Sequence, residues 1–209
     1  PGCAATVVTL AVDYTEGEPE TYVLPLAASP GAATDQILAD HPNSGMAFIE
    51  SRASGERWFL HDAVVDATFM EGVLDAIRRR RTFSSLGNAE LRTSTTPWFR
   101  RALDGAGPDD LGAQLLVADQ SNPSAIFGNR VVMKVFWRAQ EGVNPDLEIG
   151  RYLTEPGFAH TAPLLGAMEY HRGVRSEPRT VGVLYAYVPN EGDAWHYTLD
   201  QLGLFYETA

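Results

Sequence analysis

The chain has 209 residues, room for one large or two small domains, and its 44% hydrophobic and 10% aromatic content is that of an ordinary folded protein. A net charge of −11 excludes nucleic acid and anionic membrane surfaces as expected partners, because both reward clustered cations. The single cysteine, Cys3, rules out an internal disulfide framework; with no long apolar run and no signal-peptide pattern, the expectation is a soluble, cytoplasmic protein.

In chain order, Thr6–Tyr14 alternates apolar and polar residues, Glu16-Gly17-Glu18-Pro19 turns, and Thr21–Ala27 returns, which predicts a β-hairpin. Asp35–Ala39 predicts a short helix. Met46–Glu50 and Arg57–His61 predict a second hairpin around Ala53-Ser54-Gly55-Glu56. The spacing over Ala67–Arg81 predicts a long helix closing on Arg78–Arg81, the only basic block; cations there complement the helix dipole, so the block reads as a solvated helix end rather than a nucleic-acid patch. Thr82–Pro97 is poor in large apolar residues and rich in Ser, Thr, Gly and Asn, which suggests a linker or an exposed crossing. Residues 1–98 thus read as a small α+β unit with its linker.

A second pattern begins near Leu111. Gln114–Ala118 predicts a strand, and Ser124–Phe127 and Val131–Trp137 flank the turn Gly128-Asn129-Arg130. Asn144–Leu153 predicts a helix, with Pro145 in its first turn and Asp146 close behind as amino-terminal signals. Leu164–Tyr170 and Thr180–Tyr187 predict two more strands, Pro189–Asp193 breaks the pattern, and Trp195–Thr208 resumes a helical spacing. The class is α+β throughout.

Lys134 is the single lysine beside fifteen arginines, and it lies in the apolar stretch Val131–Trp137. Its ammonium must either snorkel to water or hold an anion. Glu148 on the following helix is the expected partner, and a strand lysine paired with a glutamate on the next helix is how protein kinases position ATP phosphates. An ordinary strand–helix salt bridge is the alternative. The segment Asp119–Ser124 occupies the place of a phosphate-covering loop without the Gly-x-Gly-x-x-Gly pattern. Its amides and the Ser121 and Ser124 hydroxyls suit phosphate oxygens, although Ser/Asn/Pro clusters are usually plain turns. None of the five histidines begins a catalytic loop, and His61-Asp62, the nearest imitation, precedes the lysine. The His, Asp and Glu residues show no metal-ligand spacing, so no catalytic or metal-binding residue is assigned.

Four blocks, Gln120-Ser121-Asn122-x-Ser124, Lys134-Val135-Phe136-x-Arg138, Asn144 through Glu155 (NPDLEIGRYLTE) and Val188-Pro189-Asn190-Glu191-Gly192-Asp193-Ala194-Trp195, closely resemble the amino-terminal part of bacterial maltokinases, including forms fused behind a trehalose synthase. The resemblance is dense from Leu115 to Phe205 and looser before that, where it fits the family's amino-terminal cap subdomain. It implies a cap with linker over residues 1–98, a protein-kinase-like N-lobe over 99–188, and a hinge connector with the first C-lobe helix over 189–209, truncated before the rest of that lobe. The implied reaction moves the γ-phosphoryl group of ATP to the anomeric hydroxyl of maltose, giving maltose 1-phosphate, with Mg²⁺ held by the missing lobe. By position, Lys134 contacts the ATP phosphates, Glu148 anchors it, and Gln120, Ser121, Asn122 and Ser124 form the phosphate-side loop. Tyr185, Tyr187 and Val188 fall in the hinge strand whose backbone bonds adenine.

The fragment alone is expected to be inactive, since the base, the metal ligands and the sugar site lie elsewhere. Two other readings stay open: a non-catalytic binding or assembly module partnering trehalose synthase, and the small lobe of a related sugar or amino-sugar kinase. The apolar helix carrying Trp195, Tyr197, Leu199, Leu202, Phe205 and Tyr206 adds an expectation of homodimerisation.

Overall fold

The computed structural model of the chain describes residues 5–84, 89–116, 122–173, 176–192 and 194–208. The class is α+β, with helices set beside two antiparallel sheets. No helix among the described residues is long and apolar enough to cross a membrane.

The two predicted hairpins form one sheet. Strands β1 (Ala5–Val12), β2 (Glu20–Pro30), β3 (Gly45–Glu50) and β4 (Arg57–Asp62) lie in the order β1-β2-β4-β3, and helix α1 (Thr34–Asp40) joins β2 to β3. Strand alternation gives this sheet two unlike faces. Val23, Ala27, Phe59 and His61 share the buried face, whereas Val8, Leu10, Ile49 and Trp58 share a face on which all four are exposed.

Helix α2 (Ala67–Arg78) starts where Asp66 accepts a hydrogen bond from the Thr68 amide, a side-chain cap of the usual kind. Met70, Leu74 and Ile77, spaced four and three residues apart, bury one stripe of the helix. The helix ends at Arg78, before the last three arginines of the block. The Arg80 amide donates to the Ile77 carbonyl and the Arg81 amide to the Ala76 carbonyl, which closes the end as a Schellman motif. Its left-handed position, normally glycine, is Arg80 at φ 52°. A side chain there costs about 1 kcal/mol relative to glycine.

The expected linker is instead sheet. Thr82–Ser84 (β5) and Ala89–Thr95 (β6) pair with each other, and β6 runs antiparallel to the later strand β10 (Leu164–Arg172) along its whole length. The physical reason is that the fully buried positions of β6 are small: they are Ala89 and Thr93, and the Thr93 hydroxyl donates to the Ala76 and Arg81 carbonyls at the end of α2. Leu91, between them on the same face, is half-buried against the main core, so the backbone ladder, the helix contacts and one large apolar side chain hold this strand. Helix α3 (Pro97–Ala102) follows, with Pro97 in its first turn.

Strands β7 (Ala113–Leu116), β8 (Ser124–Phe127), β9 (Val131–Val135) and β11 (Arg179–Ala186) complete a seven-stranded sheet in the order β5-β6-β10-β11-β9-β8-β7. The β8–β9 turn puts both Gly128 and Asn129 at positive φ, the conformation that matches strand twist in tight hairpins. Helix α4 (Pro145–Thr154) packs between β9 and β10 in sequence, and α5 (Ala194–Thr208) ends the described chain. The sheet has α2 on one face and α4 on the other. The main core lies toward α2 and includes Phe127, Val131, Met133, Val135 and Leu184 with Met70, Leu74 and Ile77. A smaller cluster of Phe136, Leu147, Leu164, Ala167 and Val183 lies toward α4, with Tyr185 packed against it. The two sheets meet where the Val23 amide donates to the Trp137 carbonyl and the Ala139 amide to the Thr21 carbonyl.

Candidate functional site

Lys134 sits on β9 with its side chain toward α4, the face opposite Met133 and Val135. Register places Ser124 of β8 directly beside it on one side and Val183 of β11 on the other. One face of three adjacent strands thus carries a hydroxyl, an ammonium and a branched apolar side chain in a row. The Lys134 ammonium also lies 5.1 Å from the centre of the Phe136 ring, two residues along the same strand face.

The anion that holds Lys134 is Asp146, not Glu148. Lys134 Nζ lies 2.6 Å from Asp146 Oδ2. Helix geometry explains the correction. Two residues advance the helix by about 200°, so Asp146 and Glu148 point to opposite sides. Asp146 shares its side with Gly150 and Thr154, four and eight residues on, both buried against the sheet. Glu148 instead belongs to the exposed side with Ile149 and Tyr152. The pair is half-exposed, at 36% for the lysine and 43% for the aspartate, so its contribution to stability is about 0–1 kcal/mol. Its value is positional.

The backbone of α4 is fixed locally and from below. The Asn144 side chain accepts from the Asp146 and Leu147 amides, capping the helix at the turn that carries Asp146. From β11, the Tyr185 hydroxyl donates to the Asp146 carbonyl, and it can approach because the residue above it is Gly150: a Cβ there would lie 2.5 Å from the hydroxyl oxygen. Burial, and next the negative charge of Asp146, pushes the Tyr185 phenol above its ordinary range. Sequence reasoning missed both Tyr185 as a helix support and Asp146 as the lysine's partner. The Asn144-Pro145-Asp146 run marks the helix start, but Asp146 and Glu148 both lie in its first turn, so no local signal chooses between them.

Of the other expected site residues, Gln120 and Ser121 lie outside the described residues. Asn122 precedes β8 and Ser124 is its first residue; the Ser124 hydroxyl donates to the Asn122 carbonyl at the long distance of 3.5 Å. Tyr187 and Val188 follow β11. The Tyr187 amide donates to the Arg130 carbonyl, so that donor is engaged within the protein rather than presented to a ligand. The exposed Val188 accepts from the Asn190 side chain through its carbonyl. His61 is buried on the first sheet. Its Nδ1 lies 3.0 Å from the Asp62 carbonyl, which only accepts, so Nδ1 donates there, and Nε2 lies 2.9 Å from the Ser29 hydroxyl. Among the described residues no group of three or more His, Cys, Asp or Glu is arranged to hold a metal ion.

No family model matches the chain. Among solved structures, it is similar to a glucosamine kinase in complex with glucosamine, ADP and inorganic phosphate, at 17% identity and TM-score 0.47, covering 96% of this chain and 40% of that one. A crystal form A of glucosamine kinase matches at 18% identity and TM-score 0.47 over 93% of this chain and 37% of that chain. A crystal form B matches at 17% and 0.46 over 93% and 36%. The chain therefore spans about two fifths of the length of these structures.

Proposed function

We propose that this chain forms the nucleotide-phosphate side of an ATP-dependent sugar kinase, and specifically of a maltokinase that makes maltose 1-phosphate. The observation that carries the reading is the Lys134–Asp146 pair: the only lysine of the chain, held at 2.6 Å by the first turn of α4 and flanked in register by Ser124. An ammonium confined by a helix carboxylate on a rigid strand suits phosphate oxygens, which need positive charge at a fixed position. The block-by-block sequence resemblance from Leu115 to Phe205 narrows the proposal to maltokinase.

In this reading Lys134 neutralises phosphate charge, and Asp146 restricts the ammonium to one region. The Ser124 hydroxyl donates to a phosphate oxygen, together with Gln120, Ser121 and Asn122 of the same loop. Tyr185 keeps α4, and hence Asp146, seated on the sheet. Bound ATP supplies the transferable phosphoryl group. Mg²⁺ takes its ligands outside this chain, and no described residue is assigned a proton-transfer role. Adenine reaches the segment after β11 through groups other than the Tyr187 amide.

The test is ATP titration into the protein that carries this chain, followed by phosphoryl transfer to maltose and to glucosamine. Lys134→Ala and Asp146→Asn are each expected to weaken ATP binding at least tenfold, while Glu148→Gln leaves it unchanged. Full ATP affinity in Lys134→Ala would sink the nucleotide assignment. Transfer to glucosamine but not maltose would keep the kinase and replace the acceptor.

A second reading, a non-catalytic assembly module for trehalose synthase or for a second copy, draws on the exposed Trp195, Tyr197, Phe205 and Tyr206 of α5. Sedimentation of the chain alone and with trehalose synthase separates the two: a monomer that ignores the synthase and binds ATP removes this reading.

A further inference from the structure

The arginine block at the end of α2 does more than close a helix. A cleft of about 620 Å³ opens between that end, the last residues of β6, and α3 with the turn behind it. Arg78, Arg80 and Arg100 line it, against one lining carboxylate, Asp104. Cations are scarce in this chain, 16 against 27 acids, so three converging on one hollow is a marked local excess.

Their pairing is uneven. Asp75 binds both Arg78 and Arg79, and although burial pushes its carboxyl upward, the hydrogen bonds and charges of Arg79 and Arg78 outweigh that and hold it below the ordinary range. Arg80 and Arg100 have no carboxylate partner among the described residues. Arg80 is anchored differently: its Nε donates to Thr95 Oγ1 at 2.8 Å, which fixes the guanidinium plane and leaves the terminal nitrogens as donors. Thr95, acting as acceptor there, keeps its own hydroxyl proton to donate.

The backbone supplies the second, independent observation. Arg80 occupies the left-handed position of the Schellman turn, at φ 52°, where glycine is the unstrained choice. A bulky residue held in that conformation points to a use for its side chain. Phe99 and Leu103 give the cleft an apolar part beside the cationic part, so it suits an organic anion better than a bare ion.

We propose that this cleft is a binding site for a small phosphomonoester, with Arg80 and Arg100 on the phosphate, the Thr95 hydroxyl as a further donor, and the organic portion against Phe99 and Leu103. A phosphomonoester carries about −1.5 to −2 charges at pH 7, which matches the two unpaired guanidinium groups. Planar guanidinium forks are suited to its oxygens. The site is separate from Lys134 and does not depend on the nucleotide proposal.

Calorimetric titration of the protein with glucose 6-phosphate, inorganic phosphate and glucose tests it, in Lys134→Ala as well as in the unaltered chain so that the two sites are distinguished. The expected result is saturable glucose 6-phosphate binding that persists in Lys134→Ala, with at least tenfold weaker binding of inorganic phosphate and none of glucose. Arg100→Gln and Arg80→Gly are each expected to weaken it at least tenfold, and Arg79→Gln to leave it unchanged. Arg80→Gly removes the guanidinium while suiting the left-handed backbone, so a binding loss in that variant, with thermal stability retained, is not a folding defect. Absence of binding at millimolar ligand, equal affinity in Arg80→Gly and Arg100→Gln, or loss in Lys134→Ala would each overturn the proposal. Equal affinity for inorganic phosphate and glucose 6-phosphate would overturn the phosphomonoester assignment.

Discussion

The two faces of the seven-stranded sheet share a strand and differ in kind. On β9, Val131, Met133 and Val135 enter the large apolar core under α2, while Lys134 between them faces α4 beside Ser124. The α2 face holds stability through close packing. The α4 face buries a smaller apolar cluster and adds geometry, through a half-exposed ion pair, a capped helix start and one tyrosine fitted against a glycine. A period of two lets one five-residue strand serve both, because alternate residues of β9 go to opposite faces.

The largest effect should come from the α2 face. Phe127 is completely buried, and Phe127→Ala should cost about 3–5 kcal/mol in urea denaturation. A loss below 1 kcal/mol would mean that the core is not where the stability lies. Next comes the fit between α4 and β11. Gly150→Ala, usually favourable in a helix, should here destabilise by about 1–3 kcal/mol by driving a methyl group into the Tyr185 hydroxyl. Combining it with Tyr185→Phe should recover part of that loss, and the double-mutant cycle reads the coupling.

Tyr185→Phe alone should cost about 0.5–1.5 kcal/mol and should change the pH profile. The phenol is held above its ordinary value of 10, so its contribution is complete below that value and is lost as pH rises through the raised one. Denaturation measured on the alkaline side should therefore show a decline in the unaltered chain that is reduced in Tyr185→Phe. The smallest effect belongs to the ion pair itself. Lys134→Met should shift stability by no more than about 1 kcal/mol, and a larger loss would mean that the ion pair, and not only the apolar cluster under α4, carries stability.

Most strands were legible because their alternation is strong. Val131–Val135 and the Gly128-Asn129 turn carry period and punctuation together, and the α4 start is written in Asn144-Pro145-Asp146. Strand β6 was not legible, because its fully buried positions are an alanine and a threonine, and its partners on β10 lie 71 positions later for Thr95 and 81 positions later for Glu90: pairing with β10 is a tertiary fact. Lys134 stood out by rarity alone, but its partner could be chosen only once helix phase was known, since Asp146 and Glu148 are equivalent acids until one is turned toward the sheet. The Tyr185–Gly150 fit joins two elements far apart in sequence and leaves no local trace.

The solitary lysine has a practical corollary. Within these 209 residues amine-reactive reagents meet a single side-chain amine, and that target is about one third exposed. Acylation followed by intact-mass measurement therefore reads out one side chain without any mutation or isotopic label. Its rate at fixed pH, compared with that in Asp146→Asn, shows how far the ion pair shields the amine.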